Sequence, residues 1–190
     1  MLLKKVAAKA HNSIIVTDDL GVTRPLKKLN FVWAGGTKQD TVAVADPASG
    51  FIVGRYITFP DNLLYLIAKI TDDYYKEEKI RSNLELVICD NAVTISRQAV
   101  QSNNQGGISG HIDTIVYDTL PCKVINISQT TDKQDDVQLL TYAMYISSLK
   151  PLDINDKLQF AHSYNVAKAE GIRLVTPGLL EVTFDRDLRW

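Results

Sequence analysis

The chain has 190 residues, with 21 Lys+Arg against 22 Asp+Glu and a hydrophobic fraction of 45%. That length and apolar content suffice for one large or two small folded domains and exclude widespread disorder. A formal charge of −1 excludes the strongly basic domain that grips nucleic acid over a whole face, local patches aside.

Residues 1–12 contain no Gly or Pro and mix Lys, Ala, Val and Leu. They read as a short helical or extended arm that orders only when it docks, with Lys4, Lys5 and Lys9 as its candidate docking cations. Lysines inside the segment also deny it the unbroken apolar core of a signal peptide. No later apolar run approaches the ~18–20 residues that cross a bilayer, so no membrane is expected. Two cysteines, Cys89 and Cys122, cannot build a disulfide-dense scaffold, which favours a reducing cytoplasm as the site of synthesis.

From Ser13 onward the chain turns β-rich. Ser13–Thr17, Leu29–Trp33 and Thr41–Ala45 read as strands, punctuated by Asp18-Asp19-Leu20-Gly21, Ala34-Gly35-Gly36-Thr37 and Asp46-Pro47-Ala48-Ser49-Gly50. Tyr56–Phe59 and Leu63–Ile70 follow, separated by the tight turn Pro60-Asp61-Asn62. Thr71–Arg81 carries Asp72, Asp73, Lys76, Glu77, Glu78, Lys79 and Arg81, and reads as a charged loop before the strand Leu84–Cys89. Val93-Thr94-Ile95 reads as one more edge strand.

The polar, glycine-bearing stretch 98–110 lacks strand periodicity and is the expected linker. It divides a first β domain, 13–97, from a second, 111–190. Strand candidates resume at Asp113–Tyr117, Cys122–Ile127, Leu139–Ser147, Lys157–Phe160, Tyr164–Ala169 and Leu179–Phe184. The class is therefore all-β, an antiparallel barrel or sandwich built of two small β domains or of repeated meanders.

An internal echo supports repetition. Phe51–Phe59, Leu63–Ile70 and Leu84–Ile88 run parallel in pattern to Leu152–Phe160, Ser163–Ala169 and Leu179–Thr183. Each set offers a turn, a strand ending in Phe, a strand containing Tyr and Ala-Lys, and a closing strand. A meander of this kind cannot cover its own apolar face, so two halves or two barrels are required.

Catalytic signals are sparse. His111 and Asp113 share a strand face by spacing, but no third ligand stands near them in sequence. Cys89 and Cys122 sit among apolar neighbours, as small buried hydrophobes do. Gly35-Gly36 and Gly106-Gly107 fit no phosphate-binding loop. Asp72-Asp73 and Asp135-Asp136 lack the spacing of a calcium loop and read as solvated loop residues. No cofactor, metal or enzymatic activity is expected.

The layout of strands and turns resembles the head–tail connector proteins of tailed bacteriophages, of the head-closure or stopper type. The likeness rests on Leu120-Pro121-Cys122-Lys123-Val124, Tyr142-Ala143-Met144-Tyr145-Ile146, the phrase Leu152-Asp153-Ile154-Asn155-Asp156-Lys157-Leu158-Gln159-Phe160, and Pro177-Gly178-Leu179-Leu180-Glu181-Val182-Thr183. Val53-Gly54-Arg55-Tyr56-Ile57 and Leu64-Tyr65-Leu66-Ile67 form a weaker companion phrase, and two β units make the chain longer than the single small barrel of that family. The resemblance implies a virion protein assembled in the host cytoplasm. It would form an oligomeric ring of its own copies at the neck, between portal or adaptor and tail proteins, with packaged DNA passing nearby. Asp72, Asp73, Tyr74, Tyr75 and Lys76 in one loop, and Asp132, Lys133, Gln134, Asp135 and Asp136 in another, are then the candidate channel or subunit contacts. A generic β-barrel module for protein or nucleic acid is the alternative, and a small hydrolase a more distant one.

Overall fold

The computed structural model describes residues 13–34, 37–102, 108–131, 138–161 and 166–185. The arm residues Lys4, Lys5 and Lys9 and the loop residues Asp132, Lys133, Gln134, Asp135 and Asp136 lie outside them, as do His11 and His162. The only helical element among the described residues is a 3-10 turn, Pro47–Ser49, which Asp46 caps through Ala48 N–H.

Alternating apolar residues dictate the first unit. Its strands are β1 (Ile14–Asp18), β2 (Thr23–Ala34), β3 (Thr37–Ala45), β4 (Tyr56–Thr58), β5 (Leu64–Tyr75) and β6 (Glu78–Cys89). They close in the order β1-β2-β3-β6-β5-β4, and all six pairings between neighbours are antiparallel. Side chains two apart on a strand share a face, so Tyr65 and Ile67, Leu84 and Leu86, and Ala43 and Ala45 all point inward. With Val16, Leu26, Ile57 and Phe59 they form one buried cluster. Full burial of a leucine such as Leu86 stabilises the barrel by about 2–3 kcal/mol. The expected turn at Asp18–Gly21 is present. Asp18 accepts from Leu20 and Val22 N–H and pairs with Arg24 at 2.8 Å, and Gly21 takes the left-handed conformation.

The second unit contains β7 (Asn91–Ser102), β8 (Ile108–Thr131), β9 (Gln138–Ser147), β10 (Lys157–Phe160), β11 (Val166–Thr176) and β12 (Leu179–Asp185). These close in the order β10-β11-β12-β9-β8-β7 around Val93, Ile95, Cys122, Met144, Ile146, Leu158, Ala169 and Val182. Subtracting six from each label gives 4-5-6-3-2-1, which read backwards is the cyclic order of the first barrel. The echo in the sequence is thus matched by one topology used twice.

The correspondence extends to single hydrogen bonds. In the first barrel Gly54 N–H donates to Ile67 O and Ile67 N–H donates to Arg55 O. In the second, Asn155 N–H donates to Ala169 O and Ala169 N–H donates to Asp156 O. Gly54 and Asn155 both have positive φ, 82° and 74°, a conformation that Gly adopts freely and Asn tolerates. These bonds align Ile67 with Ala169. The Ala-Lys phrases Ala68-Lys69 and Ala167-Lys168 are therefore not equivalent, although the turns and the phenylalanines Phe59 and Phe160 are.

Four segment assignments differ from expectation. The units divide between Cys89 and Asp90, not at 98–110. Asn91–Ser102 is a strand because it pairs with β8 from Cys122 to Ile108 and with β10 at Val93–Ser96. Its polar residues lie where the strand faces water on both sides, which erases the apolar alternation. Asp113–Tyr117 and Cys122–Ile127 belong to one long strand, β8, whose bend carries Thr119 at positive φ. Thr71–Arg81 is no loop: it completes β5 and begins β6. The first unit also includes two short segments from later in the chain, 147–149 and 175–179.

Candidate interaction surfaces

The β5–β6 hairpin outgrows its barrel. β4 pairs with β5 only from Leu64 to Leu66, and β3 pairs with β6 only as far as Ser82. Beyond those points Asp72–Arg81 forms a two-stranded ribbon with no third strand on either edge among the described residues. Its turn, Lys76-Glu77, has φ of 48° and 66°, the mirror-image two-residue turn that matches the twist of a hairpin. A register shift between Asp73 and Tyr74 leaves Ile80 as the bulged residue, because Tyr74 faces Lys79 while Asp73 faces Arg81.

Charge holds this ribbon where a core cannot. Lys79 Nζ lies 2.8 Å from Asp72 Oδ2, Ser82 Oγ donates to Asp72 Oδ1 at 2.8 Å, and Arg81 pairs with Asp73. The Lys79 and Ser82 hydrogen bonds hold Asp72 below the ordinary aspartate pKa, and the Arg81 hydrogen bond does the same for Asp73. Opposite charges facing each other across strands are the sheet counterpart of helical ion pairs, each modest when exposed. Tyr74 is 64% exposed, Tyr75 51% and Ile80 41%. Lys76 Nζ stands 5.5 Å from the Tyr75 ring centre. Asp72, Asp73, Tyr74, Tyr75 and Lys76 are therefore brought together, on an ordered ribbon. Sequence reasoning leaves Ile80 out and takes Lys79 and Arg81 only as loop charges, although acidic residues three and four positions before a Lys-Glu turn, answered by cations after it, are the pattern of a charged hairpin.

A second surface lies on the outside of the other barrel. Thr94, Ser96, Asp113, Ile115, Lys157, Gln159, Val166 and Lys168 line an open groove of about 450 Å³. Ile115 and Val166 are 61% and 47% exposed, and Lys157 pairs with Asp113. Among the described residues no aromatic side chain lines it, and barrels of the OB type seat bases on such side chains.

The Leu152–Lys157 phrase forms a turn that enters β10. Asp156 is buried to 1% exposure and receives the Arg97 guanidinium through two bonds of 2.8 Å and Asp153 N–H at 2.8 Å. Arg97 also reaches Asp153 at 2.8 Å. Burial pushes the Asp156 carboxyl up, but the Arg97 fork and the Asp153 amide outweigh it and hold the group below its ordinary value. The same fork raises the Arg97 pKa. This network fixes the strand entry.

The remaining candidates stay apart. His111 and Cys122 face Val100 and Asn91 at opposite ends of the β7–β8 pairing. His111 and Asp113 share a strand face, but Asp113 is engaged by Lys157. Cys122 is buried and Cys89 half-buried. Among the described residues no three His, Cys, Asp or Glu side chains gather as metal ligands, and no helix is long and apolar enough to cross a membrane. Comparison with protein families, with curated proteins and with solved structures gives no match.

Proposed function

We propose that this chain is a β-barrel interaction module that binds protein, with the β5–β6 ribbon as its contact element. The observation that carries this reading is the ribbon itself, an ordered projection whose exposed Tyr74, Tyr75 and Ile80 offer apolar and aromatic area. Tyrosine is enriched at protein interfaces because it supplies large contact area at low entropic cost. Nucleic acid is the weaker ligand, since Asp72, Asp73, Glu77 and Glu78 oppose a phosphate backbone and Lys79 and Arg81 are already paired.

Within that class, a neck connector of a tailed phage is the narrower reading. It is supported by the Leu152–Phe160 phrase, which enters β10 as the resemblance implies, and by the repetition of one small barrel topology. Its partners would be copies of the chain, a portal or adaptor, and tail proteins. Size-exclusion and mass measurements with a portal-type ring test it directly. Co-elution supports the connector, and separate elution from every neck protein leaves only the general module.

Tyr74→Ala with Tyr75→Ala should leave the melting transition within about 0.5 kcal/mol of the parent, as exposed substitutions do. The same pair should weaken partner binding at least about tenfold. A photo-crosslinker at position 74, with exposed Ile52 as the control position, reads the contact. Crosslinks to a defined protein at 74 alone support the module. Crosslinks to nucleic acid, or equal labelling at 52, overturn it.

A further inference from the structure

Deepening the protein-binding reading, we infer that the ribbon associates head-to-tail with a second copy of the chain, the β5 edge of one copy lying along the β6 edge of the next. Along Asp72–Tyr75 and Glu78–Arg81 neither strand has another strand beside it among the described residues, although the Pro47–Ser49 turn approaches β6, so the backbone groups there that do not bond across the hairpin lack a strand partner. Unpaired edges of this kind are templates for strand addition, and internal ion pairs join the two strands of the ribbon here.

Charge complementarity chooses the occupant. The β5 edge carries Asp72 and Asp73, and the β6 edge carries Lys79 and Arg81. Setting β5 against a second β5 opposes aspartates with aspartates, which is unfavourable across strands. Setting β5 against the β6 edge of the next copy, in the register the ribbon already uses, places Arg81 beside Asp73 and Lys79 beside Tyr74 a second time. Each carboxylate then lies between two cations. These side chains keep the access this needs, at 27% and 33% for Asp72 and Asp73 and 34% and 53% for Lys79 and Arg81. Because the two faces of the contact differ, it propagates from copy to copy, closing a ring or continuing as a filament.

A charge-exchange experiment on the full chain tests this. One variant, Asp72→Lys with Asp73→Lys, makes both edges basic. The other, Lys79→Glu with Arg81→Glu, makes both acidic. Exposed pairs contribute little to the stability of the barrel, so both variants should keep it folded, which circular dichroism with thermal melting checks, and recovery in the mixture shows that the ribbon itself stays competent. Sedimentation velocity of the parent should show reversible association that weakens as salt rises. Each variant alone should associate at least about tenfold less tightly, and an equimolar mixture should recover the parent's association. Association of the basic variant by itself would show a symmetric β6–β6 contact and overturn the head-to-tail arrangement. A parent that stays monomeric up to about 1 mM overturns the inference. That outcome leaves the protein-binding reading standing, because crosslinking at position 74 measures contact with a different partner.

Discussion

Replacing Asp156 with Asn should destabilise the second unit by about 2–3 kcal/mol, because it leaves the Arg97 fork facing a neutral amide in a site built for a carboxylate. The figure sits below the usual cost of breaking a buried pair because the Arg97 side chain is 41% exposed and water can partly replace its partner. Two further bonds weaken with it. Asp153 N–H donates to the same carboxylate, and the turn carries Asn155 at positive φ, so the whole entry to β10 depends on one acceptor. Denaturant titration, followed through a probe in the second unit, measures the loss. A change below about 0.5 kcal/mol would show that the network is ornamental to the fold.

The same group predicts a pH dependence. Asp156 titrates below its ordinary value in the folded chain, so the unfolded chain binds its proton more readily. Its stabilisation is therefore complete above the unfolded aspartate pKa of about 3.9 and is lost as pH falls through the lower folded value. Acid unfolding of the parent should steepen in that window, and Asp156→Asn should flatten the dependence there. An unchanged acid limb in the variant would assign it to other carboxylates.

Gly178→Ala should cost about 3 kcal/mol or more in the first unit, since the added methyl group meets backbone that cannot move aside. A Cβ at this position would stand 2.6 Å from Val53 Cγ1 and 2.7 Å from Gly54 N, and closer still to the Ile67 carbonyl oxygen. Those atoms are already committed. Gly54 N–H donates to Ile67 O, and Gly178 N–H donates to Ala68 O, with Thr176 Oγ1 on the same acceptor. Retreat from the methyl group breaks these bonds, and staying in place accepts the overlap. Gly21→Ala is the contrast: its Cβ meets nothing within 4 Å, so only the positive φ penalises it, by about 1 kcal/mol. Thermal melts of the two variants should rank Gly178→Ala far below Gly21→Ala, and equal melts would mean that the 175–179 segment yields at little cost.

The ribbon shows why some of this was hidden. Thr71–Arg81 resembles a solvated loop because strand prediction looks for apolar alternation, and a hairpin with water on both faces has none. Its order comes from a two-residue turn and cross-strand charge, a pattern that is legible once Lys76 and Glu77 are taken as the turn. Gln98–Ser102 reads as linker for the same reason, although it continues the strand already legible at Val93–Ile95. Arg97 reads as the last residue of a first domain, yet it is the partner that a buried Asp156, 59 residues away, requires. Nothing local marks that pairing.

Composition and local pattern by themselves determined the all-β class, the turns at Asp18–Gly21 and Asp46–Gly50, the strands within Tyr56–Phe59, Leu63–Ile70 and Leu84–Cys89, and the echo between Phe51–Phe59 and Leu152–Phe160. Only the tertiary structure decided where one barrel ends and the next begins, that both use one strand order, and that the charged run Asp72–Arg81 stands out as a ribbon. The physical reason is one of range. Burial and turn chemistry act on neighbours in sequence and leave their mark there, whereas barrel closure and ion pairing join residues dozens of positions apart, whose complementarity appears only when the strands are laid side by side.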